Sequence, residues 1–169
     1  DVVEFRLHKL RLLRQIEDWK GVVDQISELR ELMLTVEALS LCVDLLLEYR
    51  ALFPEYALTL EWLAEMHARR ASLIGSDAPE RVIEDRLSVI TLFRQIVAAN
   101  PDEQSAHSGL VNSILDAVDD SFTYQKLDSA NSLFDQVEIE MERIRTTFPD
   151  LYQQFLSRVS ETKTKLDRK

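Results

Sequence analysis

Residues 89–102 read VITLFRQIVAANPD, a run with apolar side chains at helical spacing that stops at a proline. Val89, Phe93 and Ile96 stand twelve, eight and five residues before Pro101. Steps of four and then three residues place these side chains on one face of a helix. Because proline has no amide hydrogen and restricts the residue before it, the helix is predicted to end just ahead of Pro101, with Phe93 buried in the core.

The same pattern recurs around two other prolines. Pro54 lies 47 residues before Pro101, and Pro149 lies 48 residues after it. A fixed period of this kind is typical of stacked helical pairs, in which each unit buries its apolar face against its neighbours. The three columns hold Cys42, Leu46 and Tyr49 in the first copy and Val137, Met141 and Ile144 in the third.

The rest of the chain also has helical character. Only three of the 169 residues are glycine, which leaves few sites for tight hairpins. We therefore predict an all-α fold in which antiparallel helix pairs stack as a short right-handed solenoid of about seven or eight helices; a compact helical bundle is the alternative. The predicted helices span 2–17, 20–33, 35–52, 55–74, 79–99, 102–118, 122–147 and 150–167.

Several of these boundaries depend on single residues. Pro54, Pro101 and Pro149 are each expected to open a helix at its first turn, where the missing amide hydrogen does no harm. Residues 119–121, two aspartates and a serine, are predicted to form a loop. No helix breaker lies around Met33, so the second and third helices could be continuous.

The segment Phe93–Pro101 resembles the end of a repeat unit in the tetratricopeptide family. Members of that family carry a small, an aromatic and a second small residue in the three columns before a closing proline. The resemblance covers residues 35–167 and implies a protein–protein interaction scaffold that binds a peptide or helical segment of a partner. Val89 and Ile96 are larger than the family pattern, and the period exceeds the usual unit of about 34 residues. First-helix positions of the family are matched by Leu60, Leu63, Ala64 and His67.

In tetratricopeptide arrays the first helices of successive units line a concave groove. The resemblance therefore implies a groove lined by the helices that follow the three prolines. Glu61 and Glu65 would repel the acidic tails that some members of the family bind, so the expected partner is a protein with a basic or amphipathic segment. The implied partner-binding residues are Leu58, Glu61, Glu65, Arg69, Ser105, Ser108, Asn112, Asp116, Gln153, Leu156 and Ser160, with Thr164 continuing the series.

A second class of function is a regulatory or oligomerisation bundle. In that reading an exposed apolar stripe pairs with a second copy of the chain. The leucine-rich helix from Leu39 to Leu52 is the candidate for such self-association.

The residues that could carry chemistry are scattered. His8, His67 and His107 lie on separate predicted helices and outside the motifs that place zinc or di-iron ligands on one face. Cys42 has no histidine or basic neighbour that would activate its thiol. Gly109 stands alone in a helical pattern and belongs to no phosphate-binding loop. We expect no catalytic residue, no metal and no cofactor, and hence no enzyme.

Charge and hydropathy restrict the partners and the location. The net charge is −10, and residues 35–120 hold 15 acidic and 6 basic side chains, which disfavours nucleic acid. No run of about eighteen apolar residues could span a membrane. The single cysteine, Cys42, and the lack of a signal peptide point to the cytoplasm. Because the chain starts at Asp1 rather than methionine, residues 1–169 are expected to be one helical-repeat domain from a longer protein.

Overall fold

The computed structural model describes residues 2–168 and consists of helices joined by short connections. Helix accounts for 86% of the structure, and the described residues contain no strand, which confirms the predicted all-α class. A short 3-10 turn, Gly75–Asp77, follows the fourth helix. The helices are α1 (Val2–Gln15), α2 (Trp19–Arg30), α3 (Val36–Leu52), α4 (Leu58–Ile74), α5 (Pro79–Ala99), α6 (Gln104–Thr123), α7 (Leu127–Thr147) and α8 (Pro149–Asp167).

The helices pack in chain order and alternate between two layers. Each helix contacts the next one along the chain, and α6 also contacts α8. Side-chain hydrogen bonds join the odd-numbered helices to one another along one surface. Adjacent pairs stacked in this way form a solenoid-like arrangement. The bonds run from Arg14 to Glu48 (α1 to α3), from Arg50 to Gln95 (α3 to α5) and from Arg94 to Gln136 (α5 to α7).

The repeat columns face the core. Seven of their nine side chains are buried, and Phe93 and Tyr49 are partly buried. Phe93, which was predicted to be buried in the core, is therefore only partly buried. Its ring lies over Gly109 of α6, at the edge of the core rather than in the centre.

The helices that precede the three repeat prolines end in the same way. Phe53 has φ −132° and ψ 66°, while Asn100 and Phe148 both have φ −135° and ψ 69°. Each of these residues donates its backbone N–H to the carbonyl four residues earlier. The spacing in the sequence thus corresponds to a repeated backbone geometry.

Only one of the three prolines opens a helix. α8 begins at Pro149, but α4 begins at Leu58 and α6 at Gln104, which corrects two of the predicted starts. After Pro54 and Pro101 the chain first makes a turn, because an N–H two residues beyond each proline bonds the carbonyl just before it.

Two further boundaries were open or misplaced in the sequence interpretation. α2 and α3 are separate helices, because the side chain of Thr35 accepts a hydrogen bond from the backbone N–H of Ala38 and starts α3. The loop predicted at 119–121 is wrong, since α6 continues through those residues. α6 ends where Gln125 adopts φ 59°. The backbone N–H of Lys126 donates to the carbonyl of Ser121 there, which is the hydrogen bond of a Schellman cap.

Gly109 is required by the close approach of Phe93. A Cβ at this position would lie 2.1 Å from Cε1 of Phe93. We expect Gly109→Ala to lower the free energy of unfolding by about 1–3 kcal/mol through overpacking, although alanine favours helices. Urea denaturation measures this effect.

A second variant, Phe93→Ala, separates the overpacking against the ring from the helix propensity of alanine. In that background Gly109→Ala should become neutral or stabilising, because the ring is gone and the helix propensity of alanine remains. Equal destabilisation in both backgrounds would show that the contact with Phe93 is not the cause.

Candidate interaction groove

The even-numbered helices form the second layer, and arginine side chains cross two of the gaps between them. Arg30 of α2 donates to Glu65 of α4 at 2.7 Å. Arg158 of α8 donates to Asn112 and Asp116 of α6 at 2.9 and 2.6 Å. Between α4 and α6 the surface instead opens into a groove with two cavities, and α5 contributes to the walls of both.

The first cavity is acidic and has a volume of about 360 Å³. Three of its side chains are carboxylates and one is a guanidinium, which leaves a net charge of −2. Glu61 is exposed at its edge, whereas Glu65 is partly buried. Its lining consists of Arg30, Glu61, Glu65, Phe93, Ile96, Glu103, Ser105 and Ala106.

The second cavity, of about 450 Å³, has the opposite character. Met33 and Leu73 offer apolar surface at its rim, and Met33 is 95% exposed. The charged side chains of this cavity are paired within the chain, since Arg86 donates to Asp120 of α6 at 2.7 Å and Asp116 accepts from Arg158. The lining consists of Met33, Leu34, Ala68, Arg69, Ser72, Leu73, Arg86 and Asp116.

Arg69 and Glu65 bind other parts of the same chain. Arg69 donates to the backbone carbonyls of Arg30 and Leu32, which lie where α2 ends and would otherwise lack partners. Glu65 accepts hydrogen bonds from both Arg30 and Arg69. The repulsion of acidic tails expected from Glu61 and Glu65 would therefore come mainly from Glu61, because the charge of Glu65 is paired within the chain.

The structure brings only some of the predicted partner-binding residues together. Glu61, Glu65 and Ser105 share the acidic cavity, and Arg69 and Asp116 share the apolar one. Asn112 joins Asp116 through Arg158. The remaining predicted residues line neither cavity, and all but Ser108 are exposed; they are Leu58, Ser108, Gln153, Leu156, Ser160 and Thr164.

Several groove residues were missed from the sequence. Arg30 and Met33 belong to α2 and the segment after it, which precede the region of the repeat. Leu73 lies one turn beyond Arg69, the last inward position that the resemblance implied on α4, and Arg86 comes from α5, a helix of the other layer. No pattern in the sequence marks these residues as neighbours of α6.

A buried ionic network fastens α4 to α5. Asp85 is 3% exposed, its Oδ1 lies 2.7 Å from Nδ1 of His67, and Arg70 donates to both of its carboxylate oxygens. Arg70 also donates to the hydroxyl of Ser40 on α3. Burial would raise the pKa of Asp85, but the hydrogen bonds from His67 and Arg70 outweigh it and lower this pKa from 3.8 to about 2.

Cys42 lies in the core. Its side chain is fully buried, and this burial raises the pKa of the thiol to about 12. The thiol is therefore protonated at neutral pH and behaves as a small apolar side chain.

The described part of the chain holds neither a metal-binding cluster nor a membrane-spanning helix. Within residues 2–168 no three His, Cys, Asp or Glu side chains are placed to hold a metal ion. The helices of this part of the chain are too short or too polar to cross a membrane. Comparison with protein-family models, with curated proteins and with solved structures gave no match to this chain.

Proposed function

We propose that this chain is a non-catalytic, tetratricopeptide-like interaction scaffold that binds a helical segment of a partner protein between α4 and α6. The observation that carries the proposal is the groove itself, with an acidic cavity at one end and an apolar cavity at the other. The three equivalent helix ends and the buried repeat columns support the tetratricopeptide-like assignment. The cytoplasmic location stays a prediction, consistent with a single reduced cysteine.

The order of the two cavities defines the partner. Glu61 and Leu73 are twelve residues apart on α4, which corresponds to about 18 Å along the helix axis. A lysine or arginine of the partner would face Glu61 and Glu103. A bulky apolar side chain about three helical turns away would enter between Met33 and Leu73. This spacing gives the bound segment a fixed direction along the groove.

The contacts expected at Glu61 and Leu73 provide a test of the proposed groove. A phage-displayed library of helical peptides should yield binders that carry a basic and a bulky apolar residue at this separation. Glu61→Arg should slow their association several-fold near 0.1 M salt, and the difference should shrink near 1 M salt as the Debye length falls from about 10 to about 3 Å. Leu73→Ser should weaken binding at every salt concentration. Surface plasmon resonance measures both effects.

Ile139→Ser is the matched control for these variants. Ile139 is as exposed as Leu73 but lies on α7, in the odd-numbered layer. Peptides that bind this control like the wild type but lose affinity for the two groove variants support the proposal. Peptides indifferent to Glu61→Arg and Leu73→Ser would place the binding surface elsewhere.

A further inference from the structure

A cavity of about 400 Å³ is formed by residues of α3, α4 and α5. It shares no lining residue with the two cavities of the groove. Four leucines form most of its wall, and two of them, Leu47 and Leu87, are 50% and 45% exposed at the rim. We call it the leucine cavity. Its lining consists of Leu47, Leu63, His67, Leu87, Ser88, Thr91 and Leu92.

The ionic network around Asp85 fixes the state of His67 at this cavity. Nδ1 of His67 lies 2.7 Å from Oδ1 of Asp85, and a lone pair on Nδ1 would face that carboxylate. Nδ1 therefore carries the hydrogen, and the neutral ring has its lone pair on Nε2. Arg70 already pairs with Asp85 through two hydrogen bonds. The network thus has one cation and one anion while His67 is neutral.

Nε2 of His67 is left without a partner. Residues 2–168 give this atom no hydrogen bond, and the protein does not close it off from solvent. Because His67 is only 9% exposed and lines the leucine cavity, the free nitrogen opens into that cavity. Most polar side chains that are buried to this degree are fully hydrogen-bonded. The lone pair of Nε2 is therefore available to a bound molecule.

The two hydroxyl groups of the cavity also act as acceptors. Ser88 donates its hydroxyl hydrogen to the carbonyl of Glu84, and Thr91 donates to the carbonyl of Leu87, both at 3.0 Å. Each oxygen keeps its lone pairs but has no hydrogen left to donate. Of the described residues that line the cavity, none carries a charge while His67 is neutral. A molecule that bonds these groups must donate, and the leucines favour one that is neutral and apolar.

From the free Nε2, the accepting hydroxyls and the leucine walls, we infer that the leucine cavity binds a small, neutral, apolar molecule with a hydroxyl group, in the simplest case a phenol. The hydroxyl donates to Nε2 of His67, and the ring packs against Leu47, Leu63 and Leu87. A phenol suits this role because its hydroxyl is more acidic than that of an alkyl alcohol. The cavity volume lies within the range of small-molecule sites, about 300–1,000 Å³.

Other occupants satisfy the cavity less well. A carboxylate behind a histidine is also the arrangement that orients a zinc ligand, but zinc takes three or four protein ligands and the cavity offers one nitrogen. A charged side chain of a partner would lose its hydration among the leucines without gaining a counterion. An apolar side chain without a donor would leave Nε2 unbonded.

Two compounds that differ in one hydrogen-bond donor test this inference by nuclear magnetic resonance titration. 4-Ethylphenol carries the hydroxyl hydrogen, and 4-ethylanisole has a methyl group in its place. The wild type should bind 4-ethylphenol about tenfold more tightly, and the nitrogen-15 signal of His67 Nε2 should shift with this compound. His67→Asn keeps a donor for Asp85 but lacks Nε2, so it should bind both compounds equally.

A second variant tests the cavity without touching the Asp85 network. Leu47→Ser combined with Leu87→Ser changes two exposed side chains and should weaken the binding of 4-ethylphenol at least tenfold. Leu52→Ser is the matched control, because Leu52 is as exposed on α3 but lies outside the cavity. Glu61→Arg in the groove should also bind 4-ethylphenol like the wild type. Circular dichroism checks that each variant keeps its helices.

The outcomes decide between the alternatives. Equal affinity of the wild type for the two compounds, or a preference that survives in a folded His67→Asn, would overturn the inference. If His67→Asn loses its helices, the nitrogen-15 shift in the wild type and the leucine double variant decide instead. Tighter binding of N-acetyl-tyrosinamide than of 4-ethylphenol would also contradict the inference, because the cavity would then fit a tyrosine side chain of a partner protein.

Discussion

Replacing Asp85 by asparagine should lower the free energy of unfolding by about 3–5 kcal/mol, because it leaves the buried guanidinium of Arg70 without the carboxylate that pairs with it. The asparagine amide keeps one acceptor oxygen for the hydrogen bonds that Arg70 and His67 now donate to two carboxylate oxygens, and its NH2 group opposes the remaining donor. Urea denaturation followed by circular dichroism measures the effect. Asp135→Asn, an exposed aspartate on α7, is the matched control and should stay within about 0.5 kcal/mol of the wild type.

The pH dependence of stability gives an independent check on Asp85. Its pKa is lower in the folded chain, about 2, than its ordinary value of 3.8. The stabilisation is therefore complete above about pH 4 and is lost as the pH falls toward 2, and the shift corresponds to about 2 kcal/mol. Asp85→Asn should lack this part of the acid dependence. Parallel curves for variant and wild type between pH 4 and pH 2 would show that the network does not act through this carboxylate.

Leu46→Ala should cost about 3–5 kcal/mol, whereas Leu47→Ala should cost less than about 1 kcal/mol. The two leucines are neighbours in α3, but Leu46 is fully buried and Leu47 is 50% exposed. Leu46 also stands in the repeat column eight residues before Pro54, so its truncation leaves a cavity where the stacked pairs meet. The helix propensity changes equally in both variants, and only burial differs.

Thermal and urea unfolding of these two variants can be compared directly. If Leu47→Ala were as damaging as Leu46→Ala, the repeat columns would not describe the core. Leu47→Ala also bears on the self-association suggested for α3. Leu47 and Leu52 are the leucines of this helix that are substantially exposed, whereas Leu39, Leu45 and Leu46 are buried.

The fold could be predicted from the sequence largely because of local signals. Helical periodicity and the three repeat prolines located all eight helices, and the columns before the prolines proved to face the core. Two errors were the helix starts expected at Pro54 and Pro101, where the chain first makes a turn, and another was the end of α6, which has no obvious breaker. Gln125 closes α6 in a conformation that usually requires glycine, and the acidic residues before it therefore looked like the loop.

The groove was less accessible to sequence reasoning because its contacts are distant in the chain. A fixed register could place Glu61 and Ser105 on one surface, but it could not show that Arg30 neutralises Glu65. Nor could it show that His67 meets Asp85, eighteen residues away on the next helix. Side-chain pairing of this kind depends on how far helices approach each other, and periodicity carries no information about that distance.

The apolar core consists of two main clusters, one built from α1 to α4 and the other from α5 to α8. Smaller clusters and the Asp85 network join them across the α4–α5 contact. In stacked-helix proteins one part can unfold while its neighbour persists, and the α4–α5 contact with its Asp85 network opposes such a separation here. α4 belongs to the first half and α6 to the second. A ligand that lies between them therefore holds both halves together, and its binding energy adds directly to the coupling that makes the chain unfold as one unit.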